Sequence, residues 1–226
     1  MEDGKVMNKL KIFYEDNHII VVEKPFNVLS QADSTKDIDM LTIVKEYIKE
    51  KYNKPGNVYL GLVHRLDRPV GGLMVFARTS KAASRLSEQV RTHKFSKKYL
   101  AVIEGKIKDE DTFVDYLEKK DNGNTIVTDK EHGKYAELSY KVIEYDKKED
   151  KSLIEIDLKT GRHHQIRVQF SSRGYPLCGD QRYGKEDNTQ IALYAYELSF
   201  YHPTTNEKMT FSNKTIDNNY FHKFTV

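Results

Sequence analysis

The sequence predicts an α+β fold, a mixed and largely antiparallel central sheet flanked by a few helices. Three observations point there. Strand-like and helical runs do not alternate one for one, which argues against a doubly wound parallel sheet. Past Gly105 the chain becomes short alternating runs separated by turn residues such as Asp121, Asn122, Gly123 and Asn124, the pattern of an antiparallel meander. Only three segments carry apolar residues at helical spacing. With 226 residues, 38% hydrophobic and 31% charged, the chain can bury a core without a disulfide or metal staple.

The apolar runs Lys11 to Tyr14 and Ile19 to Glu23 flank Asp16-Asn17-His18 and read as a hairpin, closed by Pro25. Leu41, Val44, Tyr47 and Ile48 mark an amphipathic helix over 39–52, with Asp37 or Asp39 as N-cap and Pro55-Gly56 beyond its end. Val58 to Val63 and Leu73 to Ala77 read as buried strands. Ser80 to Phe95 places Ala83, Leu86 and Val90 on one side and Lys81, Arg85, Arg91 and Lys94 elsewhere, a helix with a basic outer face. Strand-like Tyr99 to Glu104 follows, then Thr125 to Thr128, Ala136 to Tyr145 and Leu153 to Leu158, with 146–151 as a hairpin tip. Gly161 to Arg173 reads as the third helix, followed by a glycine-bearing loop and strands near Leu193 to Tyr201 and Lys208 to Phe211. No repeat or linker interrupts this order, so one domain over 1–226 is expected.

The longest apolar run, Ile19 to Val22, is far short of the ~20 residues that span a bilayer, and the first residues lack a signal-peptide profile. A cytoplasmic protein without a membrane partner is the expectation. The single cysteine, Cys178, can close no intramolecular disulfide and is read as a small buried hydrophobe. Net charge is only +3, from 37 basic and 34 acidic residues, but the charge is sorted. Arg78, Lys81, Arg85, Arg91, Lys94, Lys97 and Lys98 face one acid, Glu88. Lys159, Arg162, Arg167, Arg173, Arg182 and Lys185 face Asp180 alone, while the stretch from Glu104 to Asp157 is acidic. Two positive blocks of this kind suit a phosphate backbone.

Two stretches concentrate chemistry. His64-Arg65-Leu66-Asp67-Arg68-Pro69-Val70-Gly71-Gly72 lies between two strand-like runs, and extended backbone there would put Arg65 and Asp67 on one face and His64 and Leu66 on the other. A carboxylate beside guanidinium groups stays ionised at neutral pH, which suits a nucleophile, or simply an ion pair in the turn. Gly161-Arg162-His163-His164-Gln165-Ile166-Arg167 gathers donors at a helix start, with Arg167 four residues after His163 and three after His164. Neither HExxH spacing nor a cysteine partner accompanies the histidine pair, so no metal site is expected.

These stretches, followed by Gly179-Asp180-x-x-Tyr183-Gly184, resemble the RluA-type pseudouridine synthase family. The likeness extends to Tyr14-Glu15-Asp16-Asn17-His18-Ile19-Ile20-Val21-Val22-Glu23-Lys24-Pro25 and to Lys97-Lys98-Tyr99-Leu100-Ala101-Val102-Ile103-Glu104-Gly105, so it runs from about residue 12 to about 211. It implies the family's catalytic fold and the isomerisation of uridine in structured rRNA or tRNA, with no cofactor and no obligate protein partner. By the same resemblance Asp67 is the catalytic aspartate, Tyr99 lies against the target base, Arg167 pairs with the aspartate and Arg65 fills the space of the extruded base. His64, Leu66, Arg162, His164, Gln165 and Ile166 are expected around the substrate, and Arg85, Arg91, Lys94, Lys97 and Lys98 along the RNA backbone. Val70-Gly71 stands where the family often has Thr-Ser, and His163 where it often has threonine. Only about ten residues precede the first expected strand, so an S4-type RNA-binding domain is not expected. Two rivals of another class are a silent RNA-binding module and a metal-dependent phosphodiesterase using His64, Asp67, His163, His164 and Asp180.

Overall fold

A computed structural model describes residues 10–224. Among the described residues eleven strands and three α-helices are formed, and these residues divide into two compact units, one running to 95 and including 197–212, the other 96–196 and the residues from 213 on. The division falls inside one strand.

In the first unit β1 (Ile12–Glu15) and β2 (Ile19–Lys24) make the expected hairpin, and β2 pairs antiparallel with β4 (Gly71–Ala77). Ile19 to Val22 and every residue of β4 are buried, so these strands are covered on both faces and read as unbroken apolar runs. Helix α1 (Met40–Lys51) starts at Asp39, whose carboxylate accepts from the Thr42 N–H at 3.2 Å. The strand expected over 58–63 shrinks to β3 (Gly61–Leu62), because β4 already lies between β2 and β10 and leaves only Ala77 and Phe76 to pair with it. Helix α2 (Ser80–Arg91), capped by Thr79, buries Ala82 and Leu86 against Val75, Phe95, Leu198 and Phe200. It ends four residues before the expected Phe95. His93 turns left-handed (φ 56°) and Phe95 stacks on Phe200 instead, at 5.5 Å.

The second unit is an antiparallel run of β5 (Ser96–Glu104), β9 (Lys151–Leu158), β8 (Lys134–Asp146), β6 (Glu110–Lys119) and β7 (Thr125–Thr128), in that spatial order. Strand β6 is the one the alternation does not announce. Its inward face carries Asp115 between Phe113 and Leu117, a charge held by Gln169 Nε2 at 2.7 Å and Arg173 at 2.9 Å. Helix α3 (Gln165–Ser171) packs Phe170 edge-on to Phe113 and Tyr140. Strand β10 (Leu193–Tyr201) runs through the division and pairs with β11 (Lys208–Ser212) in the first unit. Cys178 is buried as expected.

Candidate active site

The 64–67 segment is extended and, although no strand ladder holds it, alternates as the sequence implies. His64 and Leu66 are buried, Arg65 is exposed and Asp67 is half-buried. Side chains pin it from below. His64 Nε2 accepts from the Val75 N–H at 3.1 Å, and its ring lies 5.2 Å from that of Phe95. Ser30 Oγ accepts from the Leu66 N–H at 3.0 Å and donates to the Leu66 carbonyl at 2.7 Å. The Val70 N–H donates to the Asp67 carbonyl at 3.0 Å, closing the turn behind the carboxylate. Arg68 points outward to Asp37 at 2.7 Å. His64 and Leu66 therefore shape the loop from its buried side.

Lys24, to which the sequence reading gave no role, is fully buried beneath this loop. Its Nζ donates to the carbonyls of Pro25 (3.0 Å), Val28 (2.5 Å) and Arg68 (3.0 Å), one acceptor for each proton of an ammonium. Burial pulls its pKa down to about 7, Asp67 pulls it back up, and Arg68 pushes it further down. Lys24→Met leaves three buried carbonyls without a donor, and we expect a loss of about 2–4 kcal/mol in urea unfolding. Between about pH 7 and 10 the unfolded chain holds the Lys24 proton more tightly than the fold, so wild-type stability rises with pH relative to the variant and the gap is flat below 7. A gap independent of pH contradicts this.

In the second unit the histidine pair precedes α3 rather than lying on it, so the expected helical spacing to Arg167 does not arise. His164 is left-handed (φ 52°), which turns its ring onto that of His163 at 3.7 Å. His163 Nδ1 shares a hydrogen bond with Thr125 Oγ1 (2.9 Å), and His164 Nδ1 shares one with the Tyr183 hydroxyl (2.8 Å). Gln165, expected against substrate, is buried and organises the loop: its Oε1 accepts from Thr160 Oγ1 and the Arg162 N–H, and its Nε2 donates to the Glu137 carbonyl. Arg162 is exposed, its Nε donating to the Tyr135 carbonyl. Ile166 is buried, as is Tyr99 at 5% exposure on β5.

Arg167 is buried and grips Asp180 with two nitrogens, Nε at 2.8 Å and Nη2 at 2.7 Å, its guanidinium lying 5.2 Å from the centre of the Tyr183 ring. Burial pushes the Asp180 carboxyl up, but Arg167 and the N–H groups of Arg182 and Tyr183 outweigh it and hold the group below the usual carboxylate range. In the sequence the Gly179-Asp180-x-x-Tyr183 pattern has a task only in the phosphodiesterase rival, which uses Asp180. Its glycine is the available signal: φ is +70°, and a Cβ at Gly179 would stand 2.4 Å from the Gln190 carbonyl oxygen.

The expected backbone contacts separate. Arg85 donates to the Pro203 carbonyl, Arg91 is held by Glu88 at 2.5 Å, and Lys94 is exposed. Lys97 and Lys98 point to opposite faces of β5. Lys98 lines a cleft of ≈ 530 Å³ with Lys108, Lys141, Glu155 and Asp157. Among the described residues no three His, Cys, Asp or Glu side chains are grouped to hold a metal ion, and no helix is long and apolar enough to cross a membrane.

A pinned, half-buried aspartate in the His64–Val70 loop and a buried arginine on α3, in the order of the motifs, fit the class of RNA-modifying isomerases. The sequence model described as RNA pseudouridylate synthase matches residues 18–172. An uncharacterized RNA pseudouridine synthase of Bacillus subtilis is 34% identical over 209 residues, covering 89% of this chain and 68% of its own. A ribosomal large subunit pseudouridine synthase D of Zymomonas mobilis is 33% identical, with 89% and 68% covered. The human RNA pseudouridylate synthase domain containing 4 shares the fold with a TM-score of 0.77 at 20% identity, over 96% of this chain and 92% of that one. The chain belongs to the RNA pseudouridylate synthase family.

Proposed function

We propose that the chain converts specific uridines of structured RNA, ribosomal or transfer, to pseudouridine, with Asp67 as the catalytic carboxylate and 1–226 as one catalytic domain. The observation that carries this reading is the His64–Val70 loop: a family motif held by five hydrogen bonds, four of them to its backbone and one through the His64 ring, while the Asp67 side chain stays partly open. In the reaction the N1–C1′ bond breaks, the uracil turns, C5 bonds to C1′, the C5 proton leaves to solvent and N1 takes a proton. Nothing is oxidised or hydrolysed. Asp67 serves it ionised, bonding to sugar or base or stabilising the charge that develops as the glycosidic bond opens. A stacked uridine must first be extruded, costing a few kcal/mol. Tyr99 meets the base, and Arg65 fills the vacated place and helps offset that cost. Ribosomal RNA is favoured over transfer RNA because relatives of this chain, that of Zymomonas mobilis among them, are ribosomal large subunit pseudouridine synthases. Family membership leaves the silent module and the phosphodiesterase without support.

The test is release of tritium from C5-labelled uridine in unmodified ribosomal RNA, with mapping of the product; no release by the wild type ends the reading. Among the surface cations, exposed Lys94 is expected to contact phosphate, so Lys94→Met lowers the slope of log K against log salt by about 0.7–0.9. Arg91, already held by Glu88, lowers it less when neutralised. Equal slopes for wild type and Lys94→Met move the contact elsewhere.

A further inference from the structure

Lys97 differs from the other cations of its block. Burial alone pulls its ammonium below the ordinary lysine range, with no acid offsetting it, and among the described residues its ammonium has no hydrogen bond or ion pair. Arg78 has Glu15, Arg85 the Pro203 carbonyl and Arg91 Glu88, while Lys81 and Lys94 stand exposed to solvent. The Lys97 Nζ rests against Gly161, where a Cβ would come within 3.1 Å, and Gly161 itself is exposed, so a covered stem delivers the ammonium to the rim of the Gly161-Arg162 turn. A desolvated cation without a counter-ion is costly, and the cost is relieved when a ligand brings the anion.

The strand sets what that anion is attached to. Lys97 and Tyr99 are two apart on β5 and share a face, about 6.6 Å apart along the strand, roughly the span from a nucleotide's base to its own phosphate. Lys98 points the other way. We propose that Lys97 binds the phosphate of the target nucleotide itself while Tyr99 meets its base, making Lys97 a substrate-positioning residue within the reading given above.

The probe is uridine 5′-monophosphate, compared with uridine and with inorganic phosphate, on the full chain carrying 13C-labelled lysine. The Lys97 signal is assigned by its loss in Lys97→Arg and Lys97→Met. We expect the monophosphate to raise the Lys97 titration midpoint by about one unit and to bind about tenfold more tightly than uridine, a preference Lys97→Met lacks. Uridine should leave the midpoint in place. A Lys97 signal unmoved by the monophosphate, or moved as far by uridine, overturns the assignment, and an equal shift with inorganic phosphate at the same concentration overturns the nucleotide part of it. Absence of tritium release beside an intact Lys97 response would remove the isomerase reading alone; release beside an unresponsive Lys97 would remove this inference alone.

Discussion

Asp67→Asn folds and melts like the wild type but releases tritium from C5-labelled uridine in RNA at least ~10³-fold more slowly, since loss of a reacting group removes stabilisation made only along the reaction path. The two halves of that expectation come from different atoms. The Asp67 carbonyl, which the substitution keeps, accepts the Val70 N–H and so closes the turn. The carboxylate, half-buried at the top of the loop, is the group that changes, and an amide of the same shape has neither the charge nor the nucleophilic oxygen. Lys24 and Ser30 still hold the backbone from beneath. Release within threefold of wild type would strip Asp67 of its catalytic role, and a lowered melting temperature would show the carboxylate to be part of the loop's support.

Asp180→Asn and Arg167→Met each cost about 3–5 kcal/mol in urea unfolding, because either change strands its partner's charge in the interior. The pair is 6% and 0% exposed at its side chains, so solvent cannot make good the loss. The double variant is expected to be less damaged than the sum of the two, the mark of a direct pair in a double-mutant cycle. Acid reports the same interaction. The folded pKa of Asp180 lies below its unfolded value, so the contribution is complete above about pH 4 and fades as pH falls through the folded value. Strict additivity, or wild-type acid stability in Asp180→Asn, would contradict the pairing.

What the sequence shows and what it hides follow from range. Hairpins and capped helices are local, and Asp39 and the Ile19–Val22 run announced a cap and a hairpin strand. Strand β6 stayed hidden because its inward Asp115 is neutralised by Arg173, a partner 58 residues away. The helix over 161–173 was read too long because a left-handed His164 cannot be seen from side-chain types. In the candidate site, the alternation of His64 to Asp67 was legible from the period of extended chain alone. The supports were not: Lys24 and Ser30 reach the loop from 44 and 36 residues away, and Asp180 holds Arg167 from beyond the end of α3. Gln165 shows the converse, a polar residue in a chemical motif whose whole amide serves the chain that carries it.

Ser30 gives the loop something further. One hydroxyl answers both the amide and the carbonyl of Leu66, the two groups that a neighbouring strand would otherwise engage. A surrogate the size of a single oxygen thus confers the stiffness of a sheet without its bulk, and the stretch bearing Arg65 and Asp67 is braced from one side only. A folded polynucleotide that draws up to Arg65 then meets a rigid edge.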